Sequence, residues 1–277
     1  LPHSQTNDAI AVRSLYLRYC STSPTSALRF LKARAAGIAT YGGSDAAIAD
    51  PIATLSMDSG PNDEAFIIAD LTRRLPPIEG EAAWLETAIA LAEAWREDGG
   101  FSRAEVLAEW LQDHLVEPAN QVLIFAQDAR VVEDLVSGLA ARFGANAVAG
   151  FHCEMDEANL AETAFRFQHD PTCRVLVSDE LGGEGRNFQN ASAVVHFDLP
   201  VSCARLEQRI GRLDRVGRSV DRPVLSVVLD PPHPADRALL AIHRDVLGVF
   251  SGSIGGLEFI LPALQRRVQA AYGDSPD

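Results

Sequence analysis

The chain has 277 residues, 47% of them hydrophobic and 22% charged, which is ordinary globular composition; wholesale disorder is excluded, and the length suits one large domain or two small ones. No run approaches the ~18 apolar residues of a membrane-spanning helix. The net charge of −14 excludes adhesion to nucleic acid over the whole surface but leaves room for a local basic strip.

The chain opens on Leu1, Pro2, His3 and Ser4, without an initiator methionine or a leader pattern, and is expected to be a piece of a longer protein. Residues 1–119 read as a mainly helical segment with no clear strand. Leu15, Tyr19, Leu28 and Leu31 recur at helical spacing over residues 12–36, and Pro24 divides that stretch in two. Lys32 is the only lysine among 24 basic residues. It lies outside any G-x-x-x-x-G-K-[ST] pattern, so no phosphate-binding loop of that kind is encoded. Residues 40–80 are rich in glycine, proline, serine and aspartate and are expected to form a loop or partly mobile insert. Trp84, Leu85, Ala88, Leu91, Ala92 and Trp95 then predict an amphipathic helix over 81–97, with that stripe packed into a core. Asp98, Gly99 and Gly100 stop it. Ser102, with Glu105 three residues on, predicts a capped helix over 102–114.

Near Pro118 the rhythm changes to alternating strands and helices. The apolar run 122–126 suits a strand buried on both faces. Further strands are predicted at 147–151, 174–178, 193–197 and 224–229. Helices are predicted at 129–143, ended by Gly144, at 156–169, ended by Asp170 and Pro171, and at 202–213. Two more close the chain at about 235–250 and 257–272. This is an α/β parallel sheet with crossover helices over residues 120–277. Cys20, Cys153, Cys173 and Cys203 form no C-x-x-C pair, which argues for a reducing compartment and against a zinc module or disulfide scaffold. His152, Cys153 and Glu154 are adjacent, but neighbouring strand residues point to opposite faces, so no metal site is expected there.

Two stretches carry chemistry. Residues 178–189 read S-D-E-L-G-G-E-G-R-N-F-Q and follow the third strand, where ligands of open parallel sheets bind. Gly182, Gly183 and Gly185 let the backbone approach a ligand and present N–H groups to an anion; Arg186 and Asn187 add side-chain donors. A tight strand-to-helix turn explains the glycines equally well. A dinucleotide fingerprint does so less well, because Phe188 stands where its third glycine belongs. Residues 205–218 read R-L-E-Q-R-I-G-R-L-D-R-V-G-R, with five arginines and two acids. Arg205, Arg209 and Arg212 share one helical face, and same-sign charges at that spacing repel. Their stacking implies a polyanion or a carboxylate partner. Planar guanidinium forks suit the oxygens of a transferring phosphoryl group.

Gln208, Arg209, Arg212 and Arg215 are similar to the last motif of superfamily-two helicases, Q-R-x-x-R-x-x-R. Residues 178–188 resemble their fifth motif, residues 122–127 their fourth, and Asp198, Leu199 and Pro200 fit between. The wording most resembles the Swi/Snf branch, and within it the bacterial RapA-like ATPases. Residues 120–230 carry the resemblance; Gly255, Gly256 and Leu257 extend it more weakly. Asp179 replaces the usual threonine, Asn159 to Glu162 lack the family's arginine, and Arg218 replaces a closing glutamine.

The resemblance implies a helicase C-terminal lobe of RecA-like fold, of the second-lobe P-loop NTPase type, preceded by a helical protrusion or brace in residues 1–119. It implies that ATP and Mg2+ are held mainly by an N-terminal RecA-like lobe of the same protein. Arg212 and Arg215 then correspond to arginine fingers. Gln208, Gly183, Glu184 and Gly185 correspond to nucleotide coupling, and Ser178, Arg186 and Asn187 to nucleic-acid contact. Asp214 stands where it can orient Arg215. Double-stranded DNA, and RNA polymerase or another DNA-bound complex, are the implied partners; no membrane is. The implied location is the cytoplasm, with the nucleoid if the source is bacterial. The competing reading is a non-catalytic protein- or nucleic-acid-binding module that uses the same arginine strip.

Overall fold

The computed structural model describes residues 6–42, 48, 50–56, 61–97, 102–180, 188–213, 224–229, 233–252 and 261–273. Its helices are α1 (Asn7–Cys20), α2 (Pro24–Ala39), α3 (Pro51–Ser56), α4 (Pro61–Arg74), α5 (Glu81–Glu97) and α6 (Ser102–His114), followed by strand β1 (Val122–Phe125). Then come α7 (Ala129–Phe143), β2 (Val148–Phe151), α8 (Glu157–His169), β3 (Val175–Ser178), β4 (Ala193–His196), α9 (Cys203–Ile210) and β5 (Leu225–Val228). The chain continues through α10 (Pro234–Ala241), a π-helical turn (Ile242–Val246) and α11 (Leu261–Gly273). Among the described residues no helix is long and apolar enough to cross a membrane.

Two compact units result. One comprises Leu1–Phe101, Pro232–Val246 and Ile254–Asp277; the other comprises Ser102–Pro231 and Leu247–Ser253. The division differs from the one expected near Pro118. Helix α6 goes with the sheet, because the Arg174 guanidinium, beside β3, donates to the carbonyls of Leu115 (2.9 Å), Glu117 (2.5 Å) and Asn120 (2.9 Å) just past that helix. Helix α11 goes with the first unit, where Gln269 bonds Ser14 and the Tyr272 hydroxyl donates to Asp236.

In the helical unit, Ser23 caps α2 and Pro24 takes its first turn, where a missing N–H costs nothing. Val12, Leu15, Leu28, Leu31, Leu71 and Leu85 make the core. Arg34 lies inside it with 1% of its side chain exposed, against a fully buried Glu81. The fork is bidentate: Nε donates to Glu81 Oε1 at 2.8 Å and Nη2 to Oε2 at 2.9 Å. The remaining guanidinium donors reach the carbonyls of Thr72, Leu75 and Pro76. Tyr16 donates to Glu81 Oε1 at 2.7 Å, and the Ile78 N–H to Oε2. One ion pair thereby joins α1, α2, α5 and the end of α4.

That network corrects the expectation of a loop over 40–80. Ile68, Leu71 and Leu75 give α4 and its C-terminal turn a buried face, and Arg34 satisfies the carbonyls that its last turn leaves open. A second correction concerns α5. Leu85 and Ala92 are buried as the stripe predicted, but Leu91 is 67% exposed and Trp84 sits at the surface, with its ring edge-on to Tyr16.

The other unit is built on a five-stranded sheet in the order β2-β3-β1-β4-β5, every neighbouring pair parallel. The expected RecA-like α/β parallel sheet is therefore observed. Val122 lies opposite Val175 on one side and Ala193 on the other, so the three central strands end level with one another. Strands β1, β3 and β4 are buried throughout, as their unbroken apolar runs require. Asp128, Asp156 and Ser202 cap α7, α8 and α9 with side-chain acceptors.

Candidate arginine site at the strand tips

Because the central strands are parallel and in register, Phe125, Ser178 and His196 finish side by side. Three acids follow these tips: Asp179 and Glu180 after β3 and Asp198 after β4. Helix α9 starts at its Ser202 cap and carries Arg209 one residue before its end.

Arg209 is 1% exposed and reaches both tips. Its Nη2 donates to Glu180 Oε1 at 2.5 Å and to Asp198 Oδ1 at 3.2 Å; Nε donates to Glu180 Oε2 at 3.3 Å. Nη1 donates to the Asp198 carbonyl at 2.8 Å. The guanidinium also lies 5.2 Å from the centroid of the Phe125 ring, at the end of β1. Burial disfavours the Arg209 charge, but Glu180 and Asp198 outweigh it and hold the guanidinium protonated. Burial pushes the Asp198 carboxyl above the usual range; Arg209 pulls it back, and Glu180 beside it adds to the rise. Asp198 Oδ2 is buried and accepts no hydrogen bond among the described residues.

The predicted strip is therefore not one solvent-facing surface. Arg205 is 7% exposed and Arg209 is buried in its carboxylate cluster. The Arg209 charge is answered from inside by Glu180 and Asp198. Arg212 differs: it is half-buried, on the turn just past α9. Its N–H donates to the Arg209 carbonyl at 3.3 Å, and its own carbonyl accepts from Phe188 N–H at 3.2 Å. Gln208 is exposed on α9. Ser178 is fully buried, and its hydroxyl donates to the Asp179 carbonyl at 2.9 Å. Gly183, Glu184, Gly185, Arg186, Asn187, Asp214 and Arg215 lie outside the described residues.

Asp179, where the resemblance leads one to expect threonine, ties two strand tips. Its Oδ2 accepts from Cys153 N–H at 2.8 Å, and its N–H donates to the Phe151 carbonyl at 3.2 Å. The Cys153 thiol is pushed up to about 12 by burial and by the Asp179 charge. Glu154 pairs instead with Arg130 at 3.2 Å. Among the described residues no group of three His, Cys, Asp or Glu side chains is placed to hold a metal. Sequence reasoning gave no role to Glu180 or Asp198. The available signal was two acids directly after strand ends, facing an arginine-rich helix.

Residues 103–217 match the family model of the helicase conserved C-terminal domain. The RNA polymerase-associated protein RapA of Vibrio campbellii (strain ATCC BAA-1116) is 38% identical over 127 residues, 45% of this chain and 13% of that protein. The chain thus spans well under two thirds of that relative's length. Among solved structures, the C-terminal part of the Fun30 ATPase domain is 12% identical, covering 97% of this chain and 80% of that one, with a TM-score of 0.47. The C-terminal domain of the DEAD-box protein Dbp5 is 19% identical over 53% of this chain and 78% of its own, with a TM-score of 0.43.

Proposed function

We propose that residues 103–217, which match the helicase conserved C-terminal domain, are the C-terminal lobe of a superfamily-two helicase of the Swi/Snf kind, and that the chain acts as the second motor lobe of a DNA-dependent ATPase that translocates on duplex DNA. The carrying observation is Arg212. Two arginines of its helical face are buried, whereas Arg212 stands half-buried on the turn just past α9, its carbonyl accepting from Phe188 N–H. Phosphoryl transfer spreads negative charge over the γ-phosphoryl oxygens, so catalysis is largely positioning and electrostatics. In this reading Arg212 and Arg215 reach a triphosphate and Mg2+ held mainly by an N-terminal RecA-like lobe.

Gln208 senses the nucleotide from the exposed side of α9. Gly183, Glu184 and Gly185 couple the nucleotide cleft to the nucleic-acid track. Arg186 and Asn187 contact the nucleic-acid backbone; Ser178, read as a third contact, is fully buried with its hydroxyl engaged with the Asp179 carbonyl, which weakens its part in the track. A relative that is RNA polymerase-associated makes a polymerase a reasonable further partner. All four cysteines are free, in keeping with a cytoplasmic setting. A purely binding module is the weaker reading, because its arginine strip is partly buried.

The test is ATP hydrolysis by the intact protein. Arg212→Ala is expected to lower DNA-stimulated turnover by about 10³-fold or more, with the fold unchanged, and Arg215→Ala likewise. Wild-type turnover in both variants contradicts the assignment.

A further inference from the structure

The glycine-rich stretch and the arginine segment are joined at both flanks of the former. Glu180, just before the stretch, binds Arg209 through both carboxylate oxygens. Phe188, just after it, donates its N–H to the Arg212 carbonyl. Phe188 is itself immobilised: it is fully buried, and its ring stands edge-on to Phe151 and Phe167. Arg212 therefore hangs from two anchors, one on each side of the stretch proposed to meet nucleic acid.

Leu206 and Leu213 are fully buried and already hold α9 and its turn against the sheet. An ion cluster adds little cohesion to such packing, since apolar residues of equal volume usually serve as well. A bidentate fork adds a defined orientation. Asp198 extends the same clamp to the tip of β4, and Phe125 to that of β1.

We infer that Glu180 and Arg209 are positioning residues: their ion pair sets where the Arg212 guanidinium stands. The inference rests on the reading of Arg212 as an arginine finger. In this reading the pair, with side chains 1% and 12% exposed, stands behind Arg212 and not against the nucleotide, so its loss should slow the chemical step while nucleotide binding stays as it was.

The experiment compares Glu180→Gln, Arg209→Lys, Arg212→Ala and Glu180→Gln combined with Arg212→Ala in the intact protein. It reads kcat and KM for ATP with and without duplex DNA, and the thermal midpoint. Glu180→Gln is isosteric and keeps the lobe folded if Arg209→Lys does not. The expected result for Glu180→Gln is a fall in DNA-stimulated kcat of about tenfold or more with KM within about twofold. Added to Arg212→Ala, it should change the residual turnover by less than about twofold, because a residue that acts through Arg212 has nothing left to position. Wild-type kcat in a folded Glu180→Gln protein, a parallel rise in KM, or multiplied losses in the double variant overturn the inference. If Arg212→Ala itself turns over like wild type, it is the finger assignment that fails.

Discussion

Arg34 and Arg209 face the same physical problem, one in each unit: a guanidinium with 1% of its side chain exposed and donors to satisfy. Arg34 meets one carboxylate and three carbonyls, so its charge is matched singly. Glu81→Gln should therefore cost about 3–5 kcal/mol in chemical denaturation, since it leaves a buried charge without its counterion. Tyr16→Phe should cost about 1 kcal/mol, the net worth of one buried hydrogen bond. Equal losses for the two would contradict the ion-pair account. Arg209 meets two carboxylates; burial raises the Asp198 carboxyl, Arg209 pulls it back, and the neighbouring Glu180 charge adds to the rise. The cysteines carry a pH signature. Burial pushes the Cys20 thiol up to about 12, and burial with Asp179 does the same to Cys153, from an ordinary value of 9.0. Folded thiols then stay protonated where unfolded ones ionise. Their stabilisation is complete below pH 9.0 and is lost as the pH rises towards 12. Unfolding free energy should decline across that window, and iodoacetamide at pH 8 should label both residues slowly until the protein is denatured. Fast labelling in the folded state contradicts this. None of these partnerships was legible from sequence, because Arg34 and Glu81 are 47 residues apart and Arg209 and Glu180 are 29 apart.

Elements were far easier to read than side-chain partners. Helices α5, α6, α7 and α8 and all five strands fall where period and capping predict, since Asp128, Asp156 and Ser202 supply acceptors and Gly144 takes a φ of 95° at the end of α7. The failure was α3 and α4. Glycine, proline and aspartate outweighed the buried face of Ile68, Leu71 and Leu75, whose helical state depends on tertiary contact with α2. Gly37 shows how close that contact is: a Cβ there would sit 2.8 Å from the Thr72 carbonyl oxygen. Gly37→Ala should thus lower stability by about 1–3 kcal/mol despite its gain in helix propensity. A stabilised variant in thermal unfolding would mean that α2 and α4 do not pack as described. The amphipathic stripe of α5 was read too wide, because Leu91 fits the period yet lies beyond the edge of the packed face.

At the scale of the whole molecule, the RecA-like α/β class was legible because a parallel sheet writes unbroken apolar strands separated by helices; the strand order β2-β3-β1-β4-β5 was not, because it is set by which crossover goes where and not by any one strand. The assignment of helices to units was not. Helix α11 goes with the first unit because it packs along α1 and α3, and the segment just past α6 is tied to β3 by Arg174; such long-range partners leave no periodic trace in the sequence. Likewise the arginine run suggested phosphate chemistry but not how its members divide, with Arg205 and Arg209 buried and Arg212 half-buried on the turn past α9. That division is the central claim, and catalysis by differential binding supplies its sharpest test. The measurement is the affinity of the intact protein, and of its Arg212→Ala variant, for a non-hydrolysable ATP analogue and for ADP with aluminium fluoride, which mimics the transferring phosphoryl group. The account predicts that Arg212→Ala weakens the aluminium fluoride complex by about 100-fold or more while the ground-state analogue binds within a few-fold of wild type. Equal affinities of the variant and the wild type for the aluminium fluoride complex would contradict it.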